Sequence, residues 1–425
     1  MRSREAILAQ QAQRLQRLLT HAYENVPYYR QLFEERGLRP DGLRSVEDLS
    51  LFPMSSKADL QQRARDFLAR GARPDRMIAR PTSGSSGQPV TILNTRWEEY
   101  RREARRRRVD GYYGVQRGDR RAAVGFARSR TRLNQLLWKA ISALRGDTRV
   151  KFDCRQPPER ILRQLATFEP TVIGGYAGVL NQVAQVALEN GERTVRPRYL
   201  TAGGEMLLPS MRRNIRAAFA APVYDVYSSN ELKLTAWECR QSGLYHVCDD
   251  SLILEVVADG RAARDGEAGE LIGTNLHSFA MPFIRFRVGD VVVKGPDRCP
   301  CGEPFSTLRA IQGRALEHFL LPGGRVVHPF ALDVGLTPWI RNFSLVQERE
   351  DAVVARVVAL AERTGEQVAE LTRSVQAVLG PDVTFTLEFV SALEPAPSGK
   401  FQPYRGLGRP HVLAAPETGS PVPPR

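Results

Sequence analysis

An α/β chain with a separate smaller α+β domain is the architecture that this sequence predicts, and three observations predict it. Its 425 residues exceed what one hydrophobic core usually organises, so two or more domains are expected. Short apolar runs alternate with helical patterns through most of the chain, which argues for parallel α/β units. Past Arg314 the pattern changes to a short strand, a helix and a strictly alternating strand.

From Arg4 to Phe33, the apolar residues Ile7, Leu8, Leu15, Leu18, Leu19 and Ala22 follow helical spacing, and Pro27 forces an end near Val26. Ala122 to Gly125, Thr171-Val172-Ile173 and Tyr199 to Ala202 read as short buried strands, with a helical pattern such as Val179 to Leu188 beside them. Ser251 to Ala258 and Val288 to Val293 read as strands of a more antiparallel section, with a turn at Asp259-Gly260 closing the first. In the last part, a helix from Gly365 to Leu379 precedes the alternating Val383 to Val390. Ala414 to Arg425 is rich in Pro, Gly, Ser and Thr without periodicity, and disorder is expected there. No internal repeat is visible.

The apolar fraction of 42% is ordinary for a globular protein. No apolar run reaches the length of a membrane span and the N-terminus lacks an apolar signal core, so a cytoplasmic protein without a membrane partner is expected. The net charge is +14, and its densest run is Arg105-Arg106-Arg107-Arg108 after Arg101 and Arg102. That run covers more than one helical face, so a simple amphipathic surface does not account for it. No nucleic-acid motif or aromatic stacking platform accompanies it, which argues against a nucleic-acid partner. Steering of an anionic ligand or the bias of an arginine-rich genome accounts for it instead.

The segment Thr82-Ser83-Gly84-Ser85-Ser86-Gly87-Gln88-Pro89 alternates hydroxyls with glycines. Glycine lets a backbone approach closely and adopt positive φ, and each hydroxyl adds a donor to the exposed amides, so the segment suits a polyphosphate. A flexible Gly/Ser linker is the alternative. No Gly-Lys-Ser/Thr closes the segment and no G-x-G-x-x-G is present, so it is neither a Walker A loop nor a Rossmann turn.

Five cysteines, an odd number, argue against a disulfide framework. Cys239, His246, Cys299 and Cys301 offer three thiolates and one imidazole, a ligand set for tetrahedral Zn²⁺ in a structural site. The Cys-x-Cys spacing is tighter than the usual knuckle, Cys248 competes with Cys239, and buried free cysteines are the alternative.

The Thr82–Gly87 segment resembles the phosphate loop of the adenylate-forming enzymes, the acyl-CoA and aryl-CoA synthetases, and further segments recur in the order that this family requires. Tyr224-Asp225-Val226-Tyr227-Ser228-Ser229-Asn230-Glu231 is similar to the signature beside the nucleotide, with Ser228 in place of the usual glycine and Asn230 in place of the usual hydroxyl residue. The resemblance implies that Glu231 ligates Mg²⁺ and that Tyr227 lies near the adenine and α-phosphate of ATP. Ala202-Gly203-Gly204-Glu205 resembles the turn against the adenine, and Asp290, in Ile284-Arg285-Phe286-Arg287-Val288-Gly289-Asp290, inherits the ribose hydroxyls. Gly313-Arg314 matches the opening of the interdomain hinge. Lys400, in Pro397-Ser398-Gly399-Lys400, matches the lysine placed on the carboxylate and α-phosphate during adenylation. The hinge acidic residue after Gly-Arg is missing, since the chain reads Ala315-Leu316-Glu317.

Within the superfamily, Ala22-Tyr23-Glu24-Asn25-Val26-Pro27-Tyr28-Tyr29 and Leu51-Phe52-Pro53-Met54-Ser55-Ser56-Lys57 resemble the start of phenylacetate-CoA ligases and the related capsule-cluster and coenzyme F390 synthetase-like proteins, and some phenylacetate-CoA ligase relatives carry a similar Cys, His and Cys-x-Cys set. The implied organisation is a large ATP- and acid-binding domain over 1–313, a small mobile domain over 314–413 carrying Lys400, and a tail over 414–425. The implied activity is ATP-dependent conversion of a carboxylic acid to an acyl-adenylate, followed by transfer to CoA. Transfer of the acyl or AMP group to an amine, hydroxyl or carrier-protein acceptor is the alternative that the altered hinge keeps open. By position, the acid pocket lies between Gly174-Gly175-Tyr176-Ala177-Gly178, the Gly203-Gly204 turn and a helix around Asn134 to Trp138. Tyr176 and Trp138 either face an aryl or arylacetic acid or are core aromatics. A homodimer is the default for a soluble enzyme.

Overall fold

The computed structural model describes residues 3–42, 45–81, 90–126, 148–314, 317–360, 363–393 and 402–408. Thr82 to Pro89, Asn134 to Trp138, Ala315 and Leu316, Lys400 and the 414–425 tail lie outside these residues. The chain forms two compact units, one of Met1–Asp110 with Tyr227–Ile311 and one of Gly111–Val226 with Gln312–Val412.

In the first unit, the opening helix Arg4–Asn25 starts where the Ser3 side chain accepts from the Ala6 N–H, and it buries Ile7, Leu15, Leu18, Leu19 and Ala22 on one stripe. Val26 is extended because Pro27 follows it, and Pro27 then opens the helix Pro27–Glu35. Tyr29, Phe33, Phe52 and Phe67 from this region pack with Phe283 and Phe286 in one apolar cluster. Phe286 opens one of a set of antiparallel strands: Leu252–Ala258 pairs with both Arg261–Ala262 and Ala268–Asn275, and the latter pairs with Phe286–Lys294. The two-residue turn between the first pair puts Asp259 at φ 49° and Gly260 at φ 75°, the left-handed pair that matches the twist of a tight hairpin. Tyr245–Val247 pairs antiparallel with Lys233–Glu238 on one side and Thr307–Arg314 on the other.

The second unit holds the parallel strands. Their spatial order is Thr148–Asp153, Arg120–Gly125, Val172–Tyr176, Tyr199–Gly203 and Val223–Ser229, the last leaving the unit after Val226. The helices Pro158–Phe168, Ala177–Glu189 and Pro209–Phe219 alternate with them, as crossovers between parallel strands require. The C-terminal part adds antiparallel Ile340–Arg349 and Ala352–Ala359, flanked by Tyr404–Arg405 and Thr384–Phe389, with the helix Gly365–Leu379 started by a Thr364/Gln367 capping box. Leu345, Val353 and Leu371 of this part share one core with Leu180, Leu208 and Ile215. Asp333 adds a polar tie by accepting from the Ser210 N–H at 2.9 Å and its hydroxyl at 2.8 Å.

Candidate functional site

The first unit brings two of the expected nucleotide residues into contact. The Tyr227 hydroxyl donates to the Asp290 carboxylate across 63 positions of sequence. Asp290 is buried on the strand Phe286–Lys294, whose approach is fixed by Arg285. That guanidinium makes a bidentate pair with Glu255 at 2.8 and 3.0 Å and donates to the Ser50 and Phe52 carbonyls at 2.7 and 2.5 Å. Arg285 itself adopts φ 44°, a left-handed conformation that disfavours a non-glycine residue by about 1–2 kcal/mol.

Glu231 lies on the turn between Val223–Ser229 and Lys233–Glu238 and is 7% exposed. Its carboxylate accepts no hydrogen bond from the described residues, although Lys233 attracts it electrostatically. A hard oxygen donor without a proton donor of its own fits a dication. Lys233 is also buried and left-handed, at φ 67°, and burial lowers its ammonium pKa to about 8 despite Glu99 and Glu231. Ser228, beside Tyr227, is exposed.

In the second unit, Gly175, Tyr176, Gly203 and Gly204 gather at the carboxyl ends of adjacent parallel strands, where open α/β sheets bind ligands. Gly203 is level with Val226, and a Cβ there would meet the Val226 carbonyl oxygen at 2.5 Å, so only glycine fits. Gly204 follows at φ 76°. The Glu205 carboxylate accepts from the Gly178 N–H at 2.7 Å, which ties this turn to the first turn of the helix Ala177–Glu189. Tyr176 packs edge-on to Phe126 at 6.4 Å, and burial raises its hydroxyl pKa, assisted by Cys154 and Glu205. Arg314 ends the strand Thr307–Arg314, and its N–H donates to the Glu317 carboxylate at 3.0 Å, the acid that follows the altered hinge.

Cys239, His246, Cys299 and Cys301 form one cluster whose ligand atoms all lie within 4.8 Å of one another. The Cys239 and Cys299 sulfurs are 3.7 Å apart, too far for a disulfide, while the Cys301 sulfur is 3.4 Å from His246 Nε2. A tetrahedron with Zn–S and Zn–N lengths of about 2.3 and 2.0 Å has edges of roughly 3.5–3.8 Å, so the set fits zinc. Burial, with Cys299 and Cys239 beside it, pushes the Cys301 thiol up to about 12. Cys248 is outside this set and receives the Arg108 guanidinium at 3.2 Å.

The arginine run has a structural explanation that its sequence did not disclose. Arg105 is 6% exposed and donates to the Leu232 and Leu234 carbonyls at 2.9 and 2.8 Å. Arg108 stacks over Trp237 and Phe305, each at 4.8 Å, and pairs with Asp250 at 2.5 Å. Genome bias is therefore an insufficient account of these two residues: they pin the helix Arg96–Tyr112 to the strand Lys233–Glu238. Neither the cations nor the carbonyl acceptors reveal that pairing when read in isolation, since the partners are over a hundred positions apart. An aromatic pair does accompany the run, because Trp97 and Tyr100 are exposed and stacked at 5.4 Å.

The chain is similar to known proteins over most of its length. It is 27% identical to a phenylacetate-coenzyme A ligase of Thermus thermophilus over 375 residues, which cover 82% of this chain and 79% of the relative. It is 24% identical to protein CapK of Staphylococcus aureus, with 66% of this chain and 62% of that protein covered. Its fold matches that of 2-hydroxyisobutyryl-CoA ligase in the postadenylation state in complex with 2-HIB-AMP, with a TM-score of 0.77 and 24% identity over 96% of this chain and 90% of the other. No protein-family model matches the chain. No helix among the described residues is long and apolar enough to cross a membrane.

Proposed function

We propose that this chain, whose fold is that of an acyl-CoA ligase and whose curated relatives include phenylacetate-coenzyme A ligases, activates a carboxylic acid with ATP and passes the acyl group to CoA. The observation that carries the reading is the Tyr227–Asp290 hydrogen bond, because it joins two residues, far apart in sequence, that the resemblance puts on the same nucleotide.

In this reading Asp290 binds the ribose hydroxyls, with Tyr227 orienting its carboxylate. The Gly203-Gly204-Glu205 turn lies against the adenine, and Ser228 and Arg314 belong to the nucleotide contacts. The loop Thr82-Ser83-Gly84-Ser85-Ser86-Gly87 takes the leaving pyrophosphate. Glu231 holds Mg²⁺, which neutralises phosphate charge when bound. A carboxylate attacking an α-phosphorus surrounded by negative oxygens needs alignment and charge compensation above all. Lys400 supplies the second positive charge at that point, from the proposed C-terminal domain over 314–413. Gly175 and Tyr176, with Trp138, line the acid pocket, and Tyr176 with Phe126 favours an aryl or arylacetic acid.

Cys239, His246, Cys299 and Cys301 hold a structural Zn²⁺, a closed site without a position for substrate. Metal analysis of protein purified without added metal is expected to find about one zinc per chain, and consistently metal-free folded protein overturns this part. The activity is tested by acid-dependent exchange of pyrophosphate into ATP across a panel of carboxylic acids, repeated with CoA and hydroxylamine as acceptors. Exchange with thioester formation supports the ligase. Exchange without any thioester favours transfer to another acceptor, and no exchange with any acid ends the enzymatic reading.

A further inference from the structure

The turn that carries Glu231 is held by its backbone to an unusual degree. Three successive carbonyls each receive a side-chain donor. The Asn230 carbonyl accepts from Lys233 Nζ at 2.6 Å, the Glu231 carbonyl from Asn275 Nδ2 at 2.9 Å, and the Leu232 carbonyl from Arg105 Nη1 at 2.9 Å. The Ser229 hydroxyl accepts from the Leu232 N–H at 3.0 Å. The donors come from three elements: the strand after the turn, the end of Ala268–Asn275, and the helix Arg96–Tyr112.

All three donors are buried. Asn275 is itself fixed, its N–H donating to the Phe283 carbonyl at 2.9 Å and its side-chain oxygen accepting from the His277 N–H at 3.2 Å. Lys233 is the informative member. Its left-handed backbone suits glycine, yet a glycine would leave the Asn230 carbonyl without the ammonium. Strain retained beside a functional carboxylate is a reason to look for a role there.

We propose that Lys233, with Asn275 and Arg105, is a positioning residue for Glu231, holding the turn so that the carboxylate meets the divalent cation of the ATP complex without reorganising. This rests on the reading of Glu231 as the Mg²⁺ ligand. Lys233 acts through the turn, by its bond to the Asn230 carbonyl. A charged hydrogen bond of this kind is worth about tenfold or more in an equilibrium.

The test uses the full chain and the variants Lys233→Met, Lys233→Gly and Lys233→Arg. Mn²⁺ uptake by ATP-saturated protein is measured from the electron paramagnetic resonance of the free ion, and amide exchange of the 229–234 segment by mass spectrometry. Lys233→Met is expected to bind Mn²⁺ about tenfold more weakly and to exchange the turn amides about tenfold faster, with Lys233→Arg close to wild type. Lys233→Gly relieves the backbone, so it keeps the protein folded and more heat-stable than Lys233→Met while remaining as poor in Mn²⁺ binding. A purely structural role predicts the opposite, that glycine restores binding. Wild-type affinity in both Lys233→Met and Lys233→Gly, or unchanged exchange in the turn, overturns the proposal alone. Wild-type protein that takes up no Mn²⁺ with ATP overturns it together with the ligand assignment.

Discussion

Removing the Arg285 side chain tests how the strand bearing Asp290 is held in place. The guanidinium is 8% exposed and makes a bidentate pair with Glu255, which is 24% exposed, besides its bonds to the Ser50 and Phe52 carbonyls. Truncation leaves Glu255 without its partner and two carbonyls without donors. Breaking a buried pair costs about 3–5 kcal/mol, and the water that reaches Glu255 puts this case near the lower end. Loss of the packed aliphatic stem adds about 1 kcal/mol, so Arg285→Ala is expected to cost about 4 kcal/mol. For a unit of about 200 residues each kcal/mol shifts the melting temperature by roughly 2–4 °C, which gives a drop of about 8–16 °C. Arg285→Gly loses the same contacts but relieves the φ of 44°, so it should be more stable than Arg285→Ala by about 1 kcal/mol. Scanning calorimetry of the three proteins at neutral pH measures both differences. A loss below 2 kcal/mol for Arg285→Ala, or a glycine variant less stable than the alanine one, refutes the account.

Three other outcomes are expected. Burial lowers the pKa of His318 to about 4 and of His328 to about 3, from an ordinary 6.5, so below pH 6.5 the unfolded chain binds protons that the folded chain refuses. Stability is therefore complete above that pH and falls between pH 6.5 and 4 by up to roughly 1.4 kcal/mol per pH unit for each histidine; melting temperatures flat from pH 7 to 5 contradict this. Tyr227→Phe removes the hydroxyl from Asp290 and should raise the KM for ATP in pyrophosphate exchange about tenfold while leaving that of the acid unchanged. Lys400→Ala should slow adenylation by roughly 10²–10³-fold and spare thioester formation from pre-made acyl-adenylate, with equal loss in both half-reactions counting against the division of roles.

Local chemistry made much of the fold legible. Pro27 announced the break between the first two helices, and the apolar runs at Ala122, Thr171 and Tyr199 lie on or beside observed parallel strands, with ends displaced by up to three residues. The helix Gly365–Leu379 has the limits its spacing predicted, because its capping residues are adjacent in sequence. What stayed hidden depends on partners far away along the chain. The inward turn of Arg105 and Arg108 is decided by carbonyls, rings and a carboxylate more than a hundred positions distant. Asn275 carried no motif, and its role emerges only when its amide meets the Glu231 carbonyl. Spacing alone left Cys239 and Cys248 equivalent, whereas the fold sends one to the ligand cluster and the other to Arg108.

The cysteine–histidine cluster has a topological consequence. Its members arrive in two pairs, so a bound zinc would convert the stretch between His246 and Cys299 into a closed ring. Tethering a loop of about 50 residues denies the unfolded chain freedom worth about 4 kcal/mol in the loop-entropy model. Asn275, Arg285 and Asp290 all sit inside that ring. A chelator acting at a distance would thus lower the stability of the segment that carries Asp290 and the support beneath Glu231 together, and lengthening the outermost hairpin at Asp259-Gly260 would leave the four-residue cluster untouched.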